Sequence, residues 1–239
     1  MIQEENHMGF FDDVKEDQTL QIQVVCVAFF LLAFPSYFFL KAAATDDPAG
    51  MGGLGFYEVT GEISYIDFDN GGEYIASGET LTIPLNTDAL SSEDQGKNIV
   101  GVLVTMSYGE DEEASGTTCA VASGQDAPDT ITGAATHAEF TNSADGDNGA
   151  STGHTVATEW YNSSLVGEIV IMEEAEIVSQ LDADGAGLGD YTIDITVNAQ
   201  AGNAPGLCQR SDNGEDVSYN IQLIVLDYDI VPWIDLSDL

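Results

Sequence analysis

The sequence predicts a mainly β protein: a single N-terminal transmembrane helix followed by an antiparallel β-sandwich. Three observations predict it. Val24 to Leu40 reads VVCVAFFLLAFPSYFFL, without a charge. Beyond it, apolar residues alternate with polar ones in short stretches separated by Gly, Asp and Asn clusters, the period of half-buried strands. Apolar residues make up 44% of the chain, too many for a disordered tail despite the heavy charge.

The elements follow in order. Residues 1–17 read as a short acidic cytoplasmic tail. Residues 18–44 read as the transmembrane helix. Its core, Val24 to Leu40, would span about 26 Å as a helix, near the thickness of a bilayer's hydrocarbon. A helix packed on a globular core would show a polar face, and this one shows none. Pro35 is tolerated in a membrane helix, and Tyr37 sits where an interfacial aromatic belongs. A cleaved signal peptide is the rival, because Ala42-Ala43-Ala44 suits a cleavage site. The preceding region, however, is acidic and long rather than basic and short. Lys15 and Lys41 flank the span evenly, so the inside placement of the N-terminus rests on the cysteine-bearing domain, which suits an oxidising exterior.

Residues 45–53 form a flexible linker by composition, and 54–239 form the sandwich. Its clearest strands are Leu81 to Leu85, Val100 to Tyr108, Tyr191 to Val197 and Tyr219 to Val225. Weaker ones lie at 56–68, 117–122, 130–140, 153–160 and 165–172, about nine in all, a sandwich-like count. Good helix formers predict a helix within Glu168 to Leu181. Gly109–Gly116 and Asn142–Gly153 read as loops.

Charge excludes much. The chain carries 42 acidic residues against 4 basic, net -38. Residues 42–239 hold 36 acids against Lys97 and Arg210 alone, net -34. Such a surface repels nucleic acid and anionic lipid heads. Acid excess with almost no lysine fits a chain working in brine or seawater, where salt screens the repulsion; divalent cation binding and plain solubility are the other readings. Cys26 lies in the apolar span. Cys119 and Cys208 share the exported domain, which predicts a Cys119–Cys208 disulfide over two separate thiols.

The stretch Asp182 to Val197, DADGAGLGDYTIDITV, resembles the tyrosine-bearing strand of immunoglobulin-like and PKD-like β-sandwich domains of prokaryotic, archaeal-type surface proteins. Gly189 and Tyr191 occupy the matching positions. The resemblance implies a Tyr191 hydroxyl bonded to nearby backbone. Ile193 stands where the second cysteine of an antibody-type bridge would stand, so any bridge here has its own connectivity.

Three Asp/Gly clusters are candidate calcium ligands: Asp67, Asp69 and Glu73; Asp145 and Asp147; Asp182, Asp184 and Asp190. Calcium takes six to eight oxygens, some supplied by backbone at Gly turns. None has complete EF-hand spacing, and Asp, Asn and Gly also make ordinary turns. His137 and His154 read as loop or surface residues. No His or Met follows Cys208 closely enough for a copper site. No nucleophile elbow, H-E-x-x-H or phosphate loop occurs, so no catalytic residue is assigned. Asn162-Ser163-Ser164 is an N-x-S glycosylation acceptor. Trp160 reads as core, and Val231 to Ile234 as a segment that docks either on the domain itself or on a partner.

The readings converge on a non-catalytic, membrane-anchored envelope protein. Lipid would hold residues 18–44, and the acidic sandwich would bind or support envelope or membrane-complex components. A type IV pilin-like filament subunit shares this layout but needs a basic-Gly processing site that His7-Met8-Gly9 does not supply. An exported enzyme is the third expectation.

Overall fold

Period-2 alternation builds the strands, and the two longest of them organise the rest. The computed structural model describes Val27 and residues 29–33, 54–109, 112–116, 119, 127–149, 152–203 and 208–233. The chain divides into two units, 1–53 and 54–239. In the first, Val27 and residues 29–33 are helical, with Phe29, Phe30, Leu31 and Leu32 exposed. Among the described residues no helix is long and apolar enough to cross a membrane. The rest of the expected 18–44 span, the 1–17 tail and the 45–53 linker lie outside the described residues.

The second unit contains β1 (Gly55–Ala76), β2 (Thr80–Asn86), α1 (Ser92–Gln95), β3 (Ile99–Ser107), β4 (Glu113–Ser115), β5 (Thr130–His137) and β6 (Phe140–Asp147). It continues with β7 (Gly153–Glu159), β8 (Ile169–Met172), α2 (Glu174–Leu181), β9 (Asp190–Asn198), β10 (Gln209–Ser211) and β11 (Gly214–Pro232). One sheet has the order β7-β3-β11-β1-β8, the second β2-β9-β5-β6, and β10 pairs with β4 apart from both. All pairings are antiparallel.

The sheets pack as a sandwich. Ile66, Val102, Val104, Met106, Val156, Ile221 and Leu223 from one meet Ile83, Ile131, Ile193, Ile195 and Val197 from the other. The outward face of the smaller sheet is polar and internally bonded. Thr80 pairs with Thr196 at 2.7 Å, Thr82 donates to Asp194 at 2.6 Å, and Thr132 donates to Asp145 at 2.6 Å. Such cross-strand pairs let Thr and Asp occupy strands without cost to the ladder.

The five-stranded sheet departs from the expected half-buried pattern. Part of its second face is also covered, by Leu165, Ile177 and Leu181 lying over Tyr57, Val59, Val100, Ile224 and Leu226. A bulge opposite Ile224 and Val225 breaks the register at β3. The expected stripe from Val100 to Tyr108 is therefore split: Val100 joins the covered outer face, while Val102, Val104, Met106 and Tyr108 enter the sandwich core.

Other expectations are corrected. Residues 130–140 are not one strand: β5 and β6 form a hairpin about Ala138 (φ 50) and Glu139. Most of the expected loop at 142–153 is strand. β6 is an edge strand with few apolar residues, so alternation could not reveal it. Only Glu174–Leu181 of the expected 168–181 helix is helical, because Ile169–Met172 pair with β1. The expected loop 109–116 contains β4. Apart from Cys119, the expected strand at 117–122 lies outside the described residues.

Candidate interaction surface

Where the second unit begins, β1, β11 and β8 form a three-stranded ribbon. Phe56 lies opposite Ile171, and the Trp233 N–H donates to the Phe56 carbonyl at 2.8 Å with the rings 6.2 Å apart. One step further along, Glu58 lies between Ile169 and Val231. These six residues share one face. Phe56 is 52% exposed, Ile171 59% and Val231 52%. Tyr57 and Val59 turn to the other face, under Leu165, Ile177 and Leu181.

The same face then becomes acidic. Thr60 opposes Asp229, and Glu62 opposes Asp227; these residues line a shallow groove with Gly61 and Tyr228. Like charges directly opposite each other weaken a strand pair. Glu62→Gln is therefore expected to stabilise the unit by about 0.2–1 kcal/mol at low ionic strength. Denaturant titration should show the gain disappearing towards 1 M NaCl, where the Debye length is about 3 Å.

The candidate calcium ligands fall in three separate settings. Asp67, Asp69 and Glu73 lie within β1 and pair with β11, with a bulge between Asp67 and Asp69. They lie along a strand and not at the Gly turn that a calcium cluster would use. Gln222 donates to Asp67 Oδ1 at 2.8 Å. Asp182 caps the C-terminus of α2 and accepts from the Asp184 N–H and the Tyr228 hydroxyl. Asp184 occupies the left-handed region (φ 46). Asp190, at the start of β9, accepts from Asn86 Nδ2 at 2.6 Å. Asp145 is bound by Thr132, and Asp147 accepts from the Gly149 N–H. Among the described residues, no three His, Cys, Asp or Glu side chains converge as metal ligands would.

Cys119 and Cys208 form a disulfide with a Cα separation of 4.8 Å, closing a sequence separation of 89 residues. Beside it β4 pairs with β10, and Arg210 meets Glu112 at 3.3 Å. Lys97 meets Asp94 at 2.6 Å; the shared hydrogen bond lowers the Asp94 pKa and raises that of Lys97. Both basic side chains of the second unit thus have internal carboxylate partners. Nearby, buried Asp129 accepts from the Gln200 N–H, and its own N–H donates to Asn148. The Asn148 amide in turn donates to buried Glu215.

The core's polar centre lies around Tyr191. Its hydroxyl donates to the Gly187 carbonyl at 2.7 Å, four residues upstream, as the resemblance implied. His137 is not a surface residue. It is buried, stacked on Tyr191 at 4.0 Å, with Nδ1 2.9 Å from the Asp190 carbonyl and Nε2 2.6 Å from that of Ala186. His154 is held between the Tyr108 hydroxyl and the Ala144 carbonyl. Trp160 packs against the core as expected, its indole N–H donating to Ile99. The amide of Asn162 donates to Gln180 at 2.7 Å, so the acceptor nitrogen of the N-x-S triplet is hydrogen-bonded to α2. No sequence motif marked the His137 site, because its partners are backbone carbonyls distant in sequence.

Burial pushes the Tyr191 hydroxyl pKa up. The folded state therefore keeps that proton longer than the unfolded chain, whose tyrosines release theirs near pH 10. The stability contributed is complete below about pH 10 and falls as pH rises further. Tyr191→Phe is expected to cost about 1–2 kcal/mol at neutral pH by stranding the Gly187 carbonyl. It should also flatten the alkaline loss of stability. An unchanged slope in denaturant titrations above pH 10 would remove Tyr191 from that account.

No protein-family model and no curated protein matches the chain. Among solved structures it is similar to a chain of the empty capsid of Triatoma virus, at 8% identity over 73% of this chain and 92% of that one, with a TM-score of 0.33. It is also similar to TmCBM61 in complex with β-1,4-galactotriose, at 9% identity over 72% and 88%, TM-score 0.26. A third is the VP2 subviral particle of infectious bursal disease virus, at 9% identity over 74% and 43%, TM-score 0.28. Likenesses of this order say nothing about ligand or activity.

Proposed function

We propose that the chain is a non-catalytic envelope protein, anchored by residues 18–44, whose extracytoplasmic acidic β-sandwich docks on or supports other surface or membrane-complex components. One observation carries this reading: a bare apolar ribbon face stands beside the point where the linker joins an otherwise carboxylate-rich domain. Apolar faces of this kind mark interaction sites. The internal ion pairs of Lys97 and Arg210 favour neutral or cationic partners over anionic ones. The Tyr191–Gly187 bond favours a relationship to the immunoglobulin-like domains of archaeal-type surface proteins.

Carbonate washing of native membranes should leave the full chain in the pellet, and protease added outside intact cells should remove residues 54–239. Release of a soluble product beginning near Thr45 would replace the anchor with a cleaved leader. Turnover of a small substrate, abolished by changing one carboxylate, would overturn the non-catalytic part.

A further inference from the structure

We infer that the ribbon face of Phe56, Ile171 and Trp233, backed by Ile169 and Val231, rests on the lipid surface of the bilayer that holds residues 18–44. The inference rests on the anchored reading above and names what the domain's first strand touches.

Position supplies the first argument. Phe56 and Leu54, the latter 74% exposed, directly follow the nine-residue linker 45–53. Fully extended, nine residues reach about 30–32 Å; as a Gly-rich coil they span about 15–18 Å. Either length would allow the apolar face to reach a bilayer whose span ends near Ala44.

The second argument is the order of residues along the ribbon. The row nearest the linker is Ile171, Phe56 and Trp233. The next is Ile169, Glu58 and Val231, followed by Thr60 with Asp229 and Glu62 with Asp227. From Phe56 to Glu62 the strand rises about 20 Å. Over that distance the face changes from apolar and aromatic to acidic. This gradient suits an element meeting an interface end-on, with Trp and Phe at headgroup depth and carboxylates in water.

Charge decides among occupants. Face-to-face stacking of two copies would bring Glu58, Glu62, Asp227 and Asp229 against their equivalents, an arrangement of opposed like charges. The chain's own residues 234–239 would carry Asp235 and Asp238 onto a face already bearing Glu58 and Asp229. Anionic lipid heads meet the same repulsion. A neutral phosphatidylcholine-like surface does not.

The test uses the full chain reconstituted in phosphatidylcholine vesicles whose acyl chains are brominated near the headgroup end. The chain has two tryptophans, Trp160 packed against the core and Trp233 on this face. Bromolipid should quench Trp233 emission, and the quenching should be lost in Trp233→Phe. It should also be lost in Phe56→Asp and Ile171→Asp, which alter exposed positions and retain Trp233. Flotation of the carbonate-washed vesicles is read in the same samples. Failure to float would overturn both the anchor and this inference. Flotation with unquenched Trp233, or disulfide-linked dimers of Ile171→Cys, would overturn this inference alone and assign the face to the tail, a partner or a second copy.

Discussion

Opening the Cys119–Cys208 bridge is expected to produce the largest loss of stability of any change considered. A loop closed over 89 residues contributes roughly 4–5 kcal/mol in the chain-entropy model. For a unit of this size that corresponds to a melting-point drop of roughly 10–15 °C. The C119S/C208S double variant should show it by calorimetry, and reductant should reproduce it in the unaltered protein. The drop should come with loss of the β4–β10 pairing, because the bridge, the Arg210–Glu112 ion pair and the bond from Gly202 to Glu112 fasten one peripheral arm. Equal melting points with and without reductant would show that the bridge does not constrain the unfolded chain.

The second large effect is expected at Asn98. Its amide donates to the Leu181 carbonyl at 2.9 Å and to the Leu226 carbonyl at 3.2 Å, while its Oδ1 accepts from the Ala183 N–H at 2.8 Å. Its backbone carbonyl accepts from the Leu226 N–H at 3.1 Å. One side chain therefore ties β11 to the end of α2. Asn98→Ala strands two acceptors and a donor in a partly buried place, a cost of about 2–4 kcal/mol. Hydrogen exchange should show residues 174–183 opening while β5 and β9 stay protected. Uniform acceleration across both sheets would mean that α2 and the sandwich unfold together.

Much of the fold was legible where the physics is local. Tyr191 to Val197 and Leu81 to Leu85 announce themselves by alternation, since one face of each meets the core and the other meets water. The turn at Ala138 and Glu139 was not legible, because neither residue belongs to the Gly and Asn types that favour left-handed backbone. The polar strand β6 was hidden because it is an edge with little apolar surface to alternate. Asp67 to Glu73 reads DFDNGGE, all but Phe68 and Glu73 of types that favour turns. Six of its seven residues pair with β11, and no window of local sequence contains those partners.

For the site, the sequence marked Cys119 and Cys208 as a pair, and marked Tyr191, Trp160 and the segment at Val231 without naming the residues they meet. It placed the calcium candidates in groups, and the structure gives most of them separate hydrogen-bonding partners instead. By itself, the sequence determined the β-rich class, the extreme acidity and the pairing of cysteines, because composition, period and a count of thiols are properties of the chain alone. Only the tertiary structure decided that β11 lies between β3 and β1, that both faces of the larger sheet are partly covered, and that Phe56, Ile171 and Trp233 share one face on which Phe56 and Ile171 are exposed. Each of these joins residues far apart in sequence, and the free energy that fixes them comes from burial and pairing that exist only after the chain has closed on itself.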